Sequence, residues 1–253
     1  MSATQGQGFG HVKTWVFDLD NTLYPADCDL FSQIDKRMGA FIADAFDLSI
    51  EDAHALRQRY YFEHGTTLAG LIRLHGVCPD SFLDYVHDID LDVVAPSPEL
   101  VAAIDALPGR KFVFTNGSRK HAEAVAEKLG VLDHFEDIFD IRALDFVNPK
   151  PTREAFDRFT GTHGIETANA AMFDDLPHNL ETAQAIGMTT VWIDCRATGR
   201  PEHQSHETWS TLPDYIHHRT KALAPFLTAI ASALAEDAES PATRLPQAQF
   251  CLT

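Results

Sequence analysis

Two carboxylates with a single leucine between them, Asp18 and Asp20, close the apolar run Trp15-Val16-Phe17. Side chains two apart on a strand share a face, so both acids would project the same way if the strand ran past Asp18. Two ionised carboxylates that close repel each other unless a cation or a shared proton holds them. Such a pair suits metal binding or general acid–base work. A polar strand exit that caps a turn would use the same residues, so partners elsewhere in the chain decide between the two.

Segments rich in β-branched and apolar residues read as strands at Val12 to Leu19, Lys111 to Thr115, Asp137 to Ile141, Ala170 to Phe173 and Thr189 to Ile193. All but one pair are separated by helical patterns. Leu100, Val101, Ile104 and Leu107 repeat at helical spacing, as do Ala122, Val125, Ala126 and Leu129 before Gly130. The patterns from Thr152 to His163 and from Pro177 to Ile186 stop likewise at Gly164 and Gly187. Alternating strands and helices predict an α/β fold with a doubly wound, Rossmann-like parallel sheet covered on both faces.

Between the first two strands the rhythm changes. Leu30, Phe31, Ile34, Met38, Phe41, Ile42 and Ala45 follow helical spacing, with shorter helical patterns around Leu56 to Phe62, Thr67 to His75 and Ser81 to His87. The expected division is an α/β core over 11–25 and 93–235 and a smaller all-helical insert over 26–92, returning at Pro96 and Pro98. An insert that leaves and rejoins the sheet at the site end can act as a lid. Leu223 to Leu234 predicts a closing helix, and the polar, Pro-interrupted 236–253 is expected to be a loose tail.

With 253 residues and 45% apolar content the chain can bury a real core. Lys and Arg number 20 against 37 Asp and Glu, a formal charge of −17 that repels nucleic-acid polymers and anionic membranes. An anionic small molecule stays open as a partner, because a bound cation and local Lys or Arg reverse the field inside one pocket. Cys28, Cys78, Cys195 and Cys251 are scattered, without a C-x-x-C pair, and read as reduced thiols. With no apolar leader stretch and no long apolar run, the expectation is a cytoplasmic protein, a monomer or homodimer.

Ligands of open α/β sheets bind beyond the carboxyl ends of the strands. There the first strand delivers Asp18 and Asp20, the second Thr115-Asn116-Gly117-Ser118, the loop after the third Lys150, and the fourth Asp174-Asp175 with Asn179 nearby. Acids, a hydroxyl, an amide and a lysine gathered in one place would be a poor way to build stability. They suit phosphoryl transfer. Asp18, Asp20 and Asp175 supply the hard oxygens that Mg²⁺ prefers, while Thr115, Asn116, the backbone N–H groups around Gly117 and Lys150 can hold phosphate oxygens. One carboxylate could attack phosphorus while the other protonates the leaving alcohol and later activates water.

These motifs, in this order, resemble those of the haloacid dehalogenase (HAD) superfamily of aspartate-nucleophile phosphatases, over roughly residues 12 to 195. The resemblance implies that Asp18 is the nucleophile, Asp20 the general acid/base, and Thr115 and Lys150 phosphate binders. It also implies Mg²⁺ held by Asp18, the Asp20 carbonyl and Asp175, with Asp174 assisting through water. The helical insert resembles a C1-type cap, which selects the leaving group. Within it Phe62-Glu63-His64-Gly65-Thr66-Thr67-Leu68-Ala69-Gly70-Leu71 is similar to a segment of pyrimidine 5′-nucleotidases, as are Leu23-Tyr24-Pro25, Thr115 to Ala122 and Tyr215 to Thr220.

His64 stands where that subgroup often has an aromatic residue, so the nucleobase preference is the open point. Gly65, Thr66 and Arg119 are the further substrate-contact candidates; Thr66 could equally cap a helix, and Arg119 could be a solvated surface charge. The expected substrate is a small phosphate ester, a nucleoside 5′-monophosphate in particular. The alternatives are a sugar-phosphate or phosphoglycolate phosphatase, a mutase, or a 2-haloacid dehalogenase. That last chemistry needs no second carboxylate at the Asp20 position and no metal.

Overall fold

Trp15 and Phe17 point into one apolar layer and Val16 into the other, and this alternation in the first strand sets the architecture. The structure, a computed structural model, describes residues 8–195 and 211–239. Strand β1 (Thr14–Phe17) is buried throughout and lies between β2 (Arg110–Phe114) and β4 (Ala170–Asp174). With β3 (Asp137–Phe139), β5 (Thr189–Ile193) and β6 (His218–Thr220) the order is β3-β2-β1-β4-β5-β6, parallel at every pairing.

The chain runs from β1 to β2 and β3 on one side, then crosses back to β4 on the other. That reversal opens a crevice at the carboxyl ends of β1 and β4, where ligands of doubly wound sheets sit. Phe17 is in register with Val113 and Phe173, so Asp18, Thr115 and Asp174-Asp175 leave the sheet close together.

One face of the sheet is covered by α5 (Pro98–Asp105), α6 (Arg119–Leu129) and α9 (Leu223–Glu239), which bury Ile104, Val125 and Leu227 against Trp15 and Phe173. The other carries α7 (Arg153–His163) and α8 (Pro177–Ala185), where Phe159 stacks on Phe114 at 4.6 Å between ring centres. Two of these helices are capped by hydroxyls: Ser118 accepts from the His121 N–H and Thr152 from the Ala155 N–H.

The insert between β1 and β2 comprises α1 (Leu30–Phe46), α2 (Ile50–His64), α3 (Thr67–His75) and α4 (Pro79–Val86). Its apolar residues Ile34, Tyr60, Leu71 and Phe82 belong to the same buried cluster as Val16 and Phe114. Helices α2 and α3 meet at Gly70, where a Cβ would lie 2.6 Å from that of Tyr60.

Several expectations are corrected. β1 stops at Phe17, so Asp18 and Asp20 do not share a strand face; the chain turns at Asn21, whose φ of 63° lies in the left-handed region that Asn tolerates. The sixth strand, His218–Thr220, is short and polar and pairs along one side with β5, which leaves no apolar run to betray it. Helix α9 continues to Glu239, so the expected tail is helical over 236–239; residues 240–253, with Cys251, lie outside the described residues. Among the described residues, Cys28, Cys78 and Cys195 form no disulfide. No helix among the described residues is long and apolar enough to cross a membrane.

Candidate active site

Asp18 is anchored through its backbone N–H, which donates to the Phe173 carbonyl at 2.9 Å. From the loop after β3, Lys150 extends inward until its Nζ lies 2.8 Å from Asp18 Oδ1 and 2.8 Å from Asp174 Oδ2. Only 1% of Lys150 is exposed. Burial alone would lower its pKa; Asp174 and Asp18 outweigh that and raise it. Asn116 fixes the lysine's backbone, its Nδ2 donating to the Lys150 carbonyl at 3.0 Å and its Oδ1 accepting from the Lys150 N–H at 2.9 Å.

Asp174 is wholly buried, its Oδ1 accepting from the Leu176 N–H and from Asn179 Nδ2, each at 2.9 Å. Asp175 follows it, with Asn21 Nδ2 3.5 Å from its Oδ2. Carboxylate oxygens of Asp18, Asp174 and Asp175 lie within 4.8 Å of one another. Burial, reinforced by the Asp174 and Asp20 carboxylates and opposed by Lys150, pushes Asp18 up to about 7. Burial, with Asp18 and Asp174 beside it, also pushes Asp175 well above the usual carboxylate range.

One ammonium thus faces a cluster of three buried acids, and the deficit is one of positive charge. Oδ1 of Asn21 and Oδ1 of Asn179 are buried and have no hydrogen-bond partner among the described residues. Hard oxygens, surplus negative charge and unsatisfied acceptors together fit a hydrated divalent cation of the Mg²⁺ kind.

Asp20 is held apart from this cluster. Its Oδ1 accepts from the Tyr24 hydroxyl at 2.6 Å and lies 2.9 Å from His121 Nε2. Burial would raise its pKa, but the His121 charge and hydrogen bond, with that of Tyr24, keep it below the usual value. The second carboxylate oxygen faces the Gly117 turn, where a Cβ would come within 3.6 Å of it. Thr115, 1% exposed, accepts the Gly117 N–H on its Oγ1 at 2.9 Å and so shapes the same turn.

Above these groups lies a cavity of about 200 Å³ whose floor includes Asp18, Asp20, Thr115, Asn116, Gly117, Lys150 and Asp175. Its roof comes from the insert: Phe31, Tyr61, Phe62 and Phe82, with Arg57 and Gln58. Arg57 is ion-paired with Asp35. Thr66 reaches the cavity and also caps α3, accepting from the Ala69 N–H.

Gly65 does not line the cavity; at φ 83° it packs against Pro149, with 3.2 Å available for a Cβ. Arg119 is not brought into the cavity: its guanidinium turns to Asp137, 2.7 Å away, and to Glu123, outside the cavity lining. The sequence alone assigns no role to Tyr24, His121 or His87; Tyr24 and His121 lie inside the Leu23–Pro25 and Thr115–Ala122 segments of the resemblance and near the site, Tyr24 one turn after Asp20 and His121 in the first turn of α6.

The chain is 27% identical over 193 residues to Phosphate metabolism protein 8 of Saccharomyces cerevisiae, a match covering 70% of this chain and 60% of that protein. Its fold is similar to the L-2-haloacid dehalogenase of Xanthobacter autotrophicus with chloropropionic acid covalently bound (TM-score 0.52, 16% identity, 85% of this chain and 97% of that one). It is also similar to a HAD-hydrolase of Bacillus subtilis bound to magnesium (TM-score 0.54, 14% identity, 87% and 98%). The profile of the haloacid dehalogenase-like hydrolases matches residues 12–187, more than half of the chain, and the protein belongs to that family of hydrolases.

Proposed function

We propose that the protein is a Mg²⁺-dependent phosphatase of small phosphate monoesters, acting through an aspartyl-phosphate on Asp18. The observation that carries this reading is the separation of two acids by environment: Asp18 lies against Lys150, Asp174 and Asp175, while Asp20 stands in its own hydrogen-bonded niche. Two carboxylates with different surroundings can take different jobs, and a cation held beside Asp18 would offset the burial that raises its pKa and leave it ionised as the nucleophile.

In this mechanism Asp20 takes up a proton as the ester binds; an Asp18 oxygen then attacks phosphorus, and the bond to the leaving oxygen breaks with its electron pair as Asp20 delivers that proton to it. Asp20, now ionised, takes a proton from water, whose oxygen displaces Asp18 and releases phosphate. Lys150 neutralises phosphate charge, and the N–H groups of the Thr115–Gly117 turn and Asn116 orient its oxygens. Asp18, Asp175 and the Asp20 carbonyl would hold Mg²⁺, with Asp174 behind them; when bound it supplies charge that lets a carboxylate approach a dianion.

The insert is assigned as a cap domain over 26–92, with the core at 11–25 and 93–235. Its aromatic roof favours a flat leaving group, and the preferred substrates are nucleoside 5′-monophosphates, pyrimidine ones by the resemblance of 62–71. The test is Mg²⁺-dependent phosphate release from UMP and CMP beside AMP, GMP, hexose phosphates and phosphoglycolate. Asp18→Asn should remove activity by on the order of 10³-fold or more with the fold retained. An unchanged rate overturns the mechanism, and a flat substrate profile overturns only the nucleotidase assignment.

A further inference from the structure

The fold brings two histidines from different layers face to face. His121, in the first turn of α6, is 3% exposed and places Nε2 2.9 Å from Asp20 Oδ1. His87, at the carboxyl end of α4 in the insert, stacks on it with ring centres 4.3 Å apart and planes inclined by 4°. His87 lines the cavity, and its Nδ1 lies 3.0 Å from the hydroxyl of Ser118, the residue that caps α6. One edge of the His121 ring therefore holds Asp20, while one of its faces is covered by a ring that only the insert supplies. Its remaining freedom is taken by the helix that carries it.

We propose that His121 is a positioning residue for the proton-transferring carboxylate Asp20, and that His87 couples this positioning to the seating of the insert over the core. Asp20 Oδ1 is engaged by His121 and Tyr24, which leaves Oδ2 to face the reacting oxygen beside Gly117. If the insert swings away, the His87 ring leaves, the His121 ring loses its support, and Asp20 loses its fixed orientation. Proton delivery would then be competent only with the cavity covered, which keeps water from the phosphorylated aspartate until the leaving group has gone. The inference rests on the phosphatase reading above.

The test separates leaving groups. Nucleoside 5′-monophosphates expel an alkoxide that needs a proton, whereas p-nitrophenyl phosphate expels a phenolate that does not; both need Asp20 when water attacks. His121→Phe keeps the ring and its stack but deletes the hydrogen bond. It should lower kcat for UMP on the order of 10²-fold with little change in KM, the scale of one general acid–base contribution. With p-nitrophenyl phosphate it should leave a rapid burst of nitrophenolate followed by slow turnover. His121→Gln, which restores a donor, should recover part of the UMP rate, and His87→Ala should show a weaker form of the same pattern.

Equal losses with both esters and no burst, or no loss at all, overturn the inference while leaving the phosphatase reading intact. No turnover of either ester by the unmodified protein with Mg²⁺ overturns both. Should His121→Phe not fold, the burst is read in His121→Gln and His87→Ala, and its absence from both counts against the proposal.

Discussion

Lys150 Nζ bridges Asp18 and Asp174 at 2.8 Å to each, although 132 residues of sequence separate it from the first and 24 from the second. One buried cation thus holds together a nucleophile candidate from β1 and a carboxylate from the end of β4. Removing it should do more than weaken phosphate binding. Lys150→Met leaves both acids buried without their partner, a change that costs roughly 3–5 kcal/mol. Urea unfolding in a chelator should show that loss, and saturating Mg²⁺ should restore part of it. A destabilisation under about 1 kcal/mol would mean that the bridge is not structural.

Asp18, and Asp175 with it, gives the stability a pH dependence of definite sign. A carboxyl whose folded pKa is raised from 3.8 to about 7 binds more protons folded than unfolded across that interval. Its stabilisation is therefore complete below pH 4 and is lost as pH rises toward 7, by up to about 1.4 kcal/mol per pH unit for one such group. Asp20, with its lowered pKa, acts oppositely and only at the acid end. In a chelator, Tm should fall between pH 5 and 7.5, and Mg²⁺ should flatten or reverse the slope by favouring the ionised acids. A Tm that rises over this range in the chelator contradicts the assignment.

Asn179 donates to both oxygens of Asp174, at 2.9 and 3.0 Å, and both side chains are buried. Asn179→Ala strands part of a buried carboxylate and should lower stability by about 1–3 kcal/mol. The check is chemical denaturation, with Asn179→Asp as a harsher variant because it adds a fourth acid to the cluster.

Arg119 offers the opposite case. Its side-chain partners are Glu123 on α6 and Asp137 and the Ile138 carbonyl on β3, so Arg119→Ala should leave kcat and KM for any substrate within about two-fold and cost roughly 0–1 kcal/mol. A KM raised ten-fold would restore it to the substrate-binding set.

Gly65 joins the insert to the loop that carries Lys150. With φ at 83° and Pro149 close by, Gly65→Ala meets both backbone strain and contact. It should destabilise by on the order of 1–3 kcal/mol and reduce activity through Lys150 without any direct substrate contact. Comparing the variant's loss of activity with its loss of stability tests this: a variant as stable as the parent would show that the 62–71 turn tolerates a side chain.

The sequence by itself determined the parts whose causes are local. Runs rich in β-branched and apolar residues marked β1 to β5, because strands buried on both faces must be apolar nearly throughout; Gly130 and Gly164 marked helix ends, because a residue just past a helix closes its last backbone groups locally. The rule that ligands of open sheets bind beyond the strands' carboxyl ends makes Asp18, Asp20, Thr115, Lys150 and Asp175 neighbours from sequence position alone. β6 and the first turn of α2 escaped for lack of an apolar pattern.

Tertiary structure alone decided which group faces which. That Asn116 clamps the backbone of Lys150, that Arg119 turns away, that Thr115 shapes the Gly117 turn, and that His121 and Tyr24 divide one oxygen of Asp20 are all side-chain pairings across distant segments. Such pairings depend on rotamers and on desolvation in a site closed from two sides. A linear pattern carries residue types and spacing, but neither the direction of a side chain nor the loss of water around it.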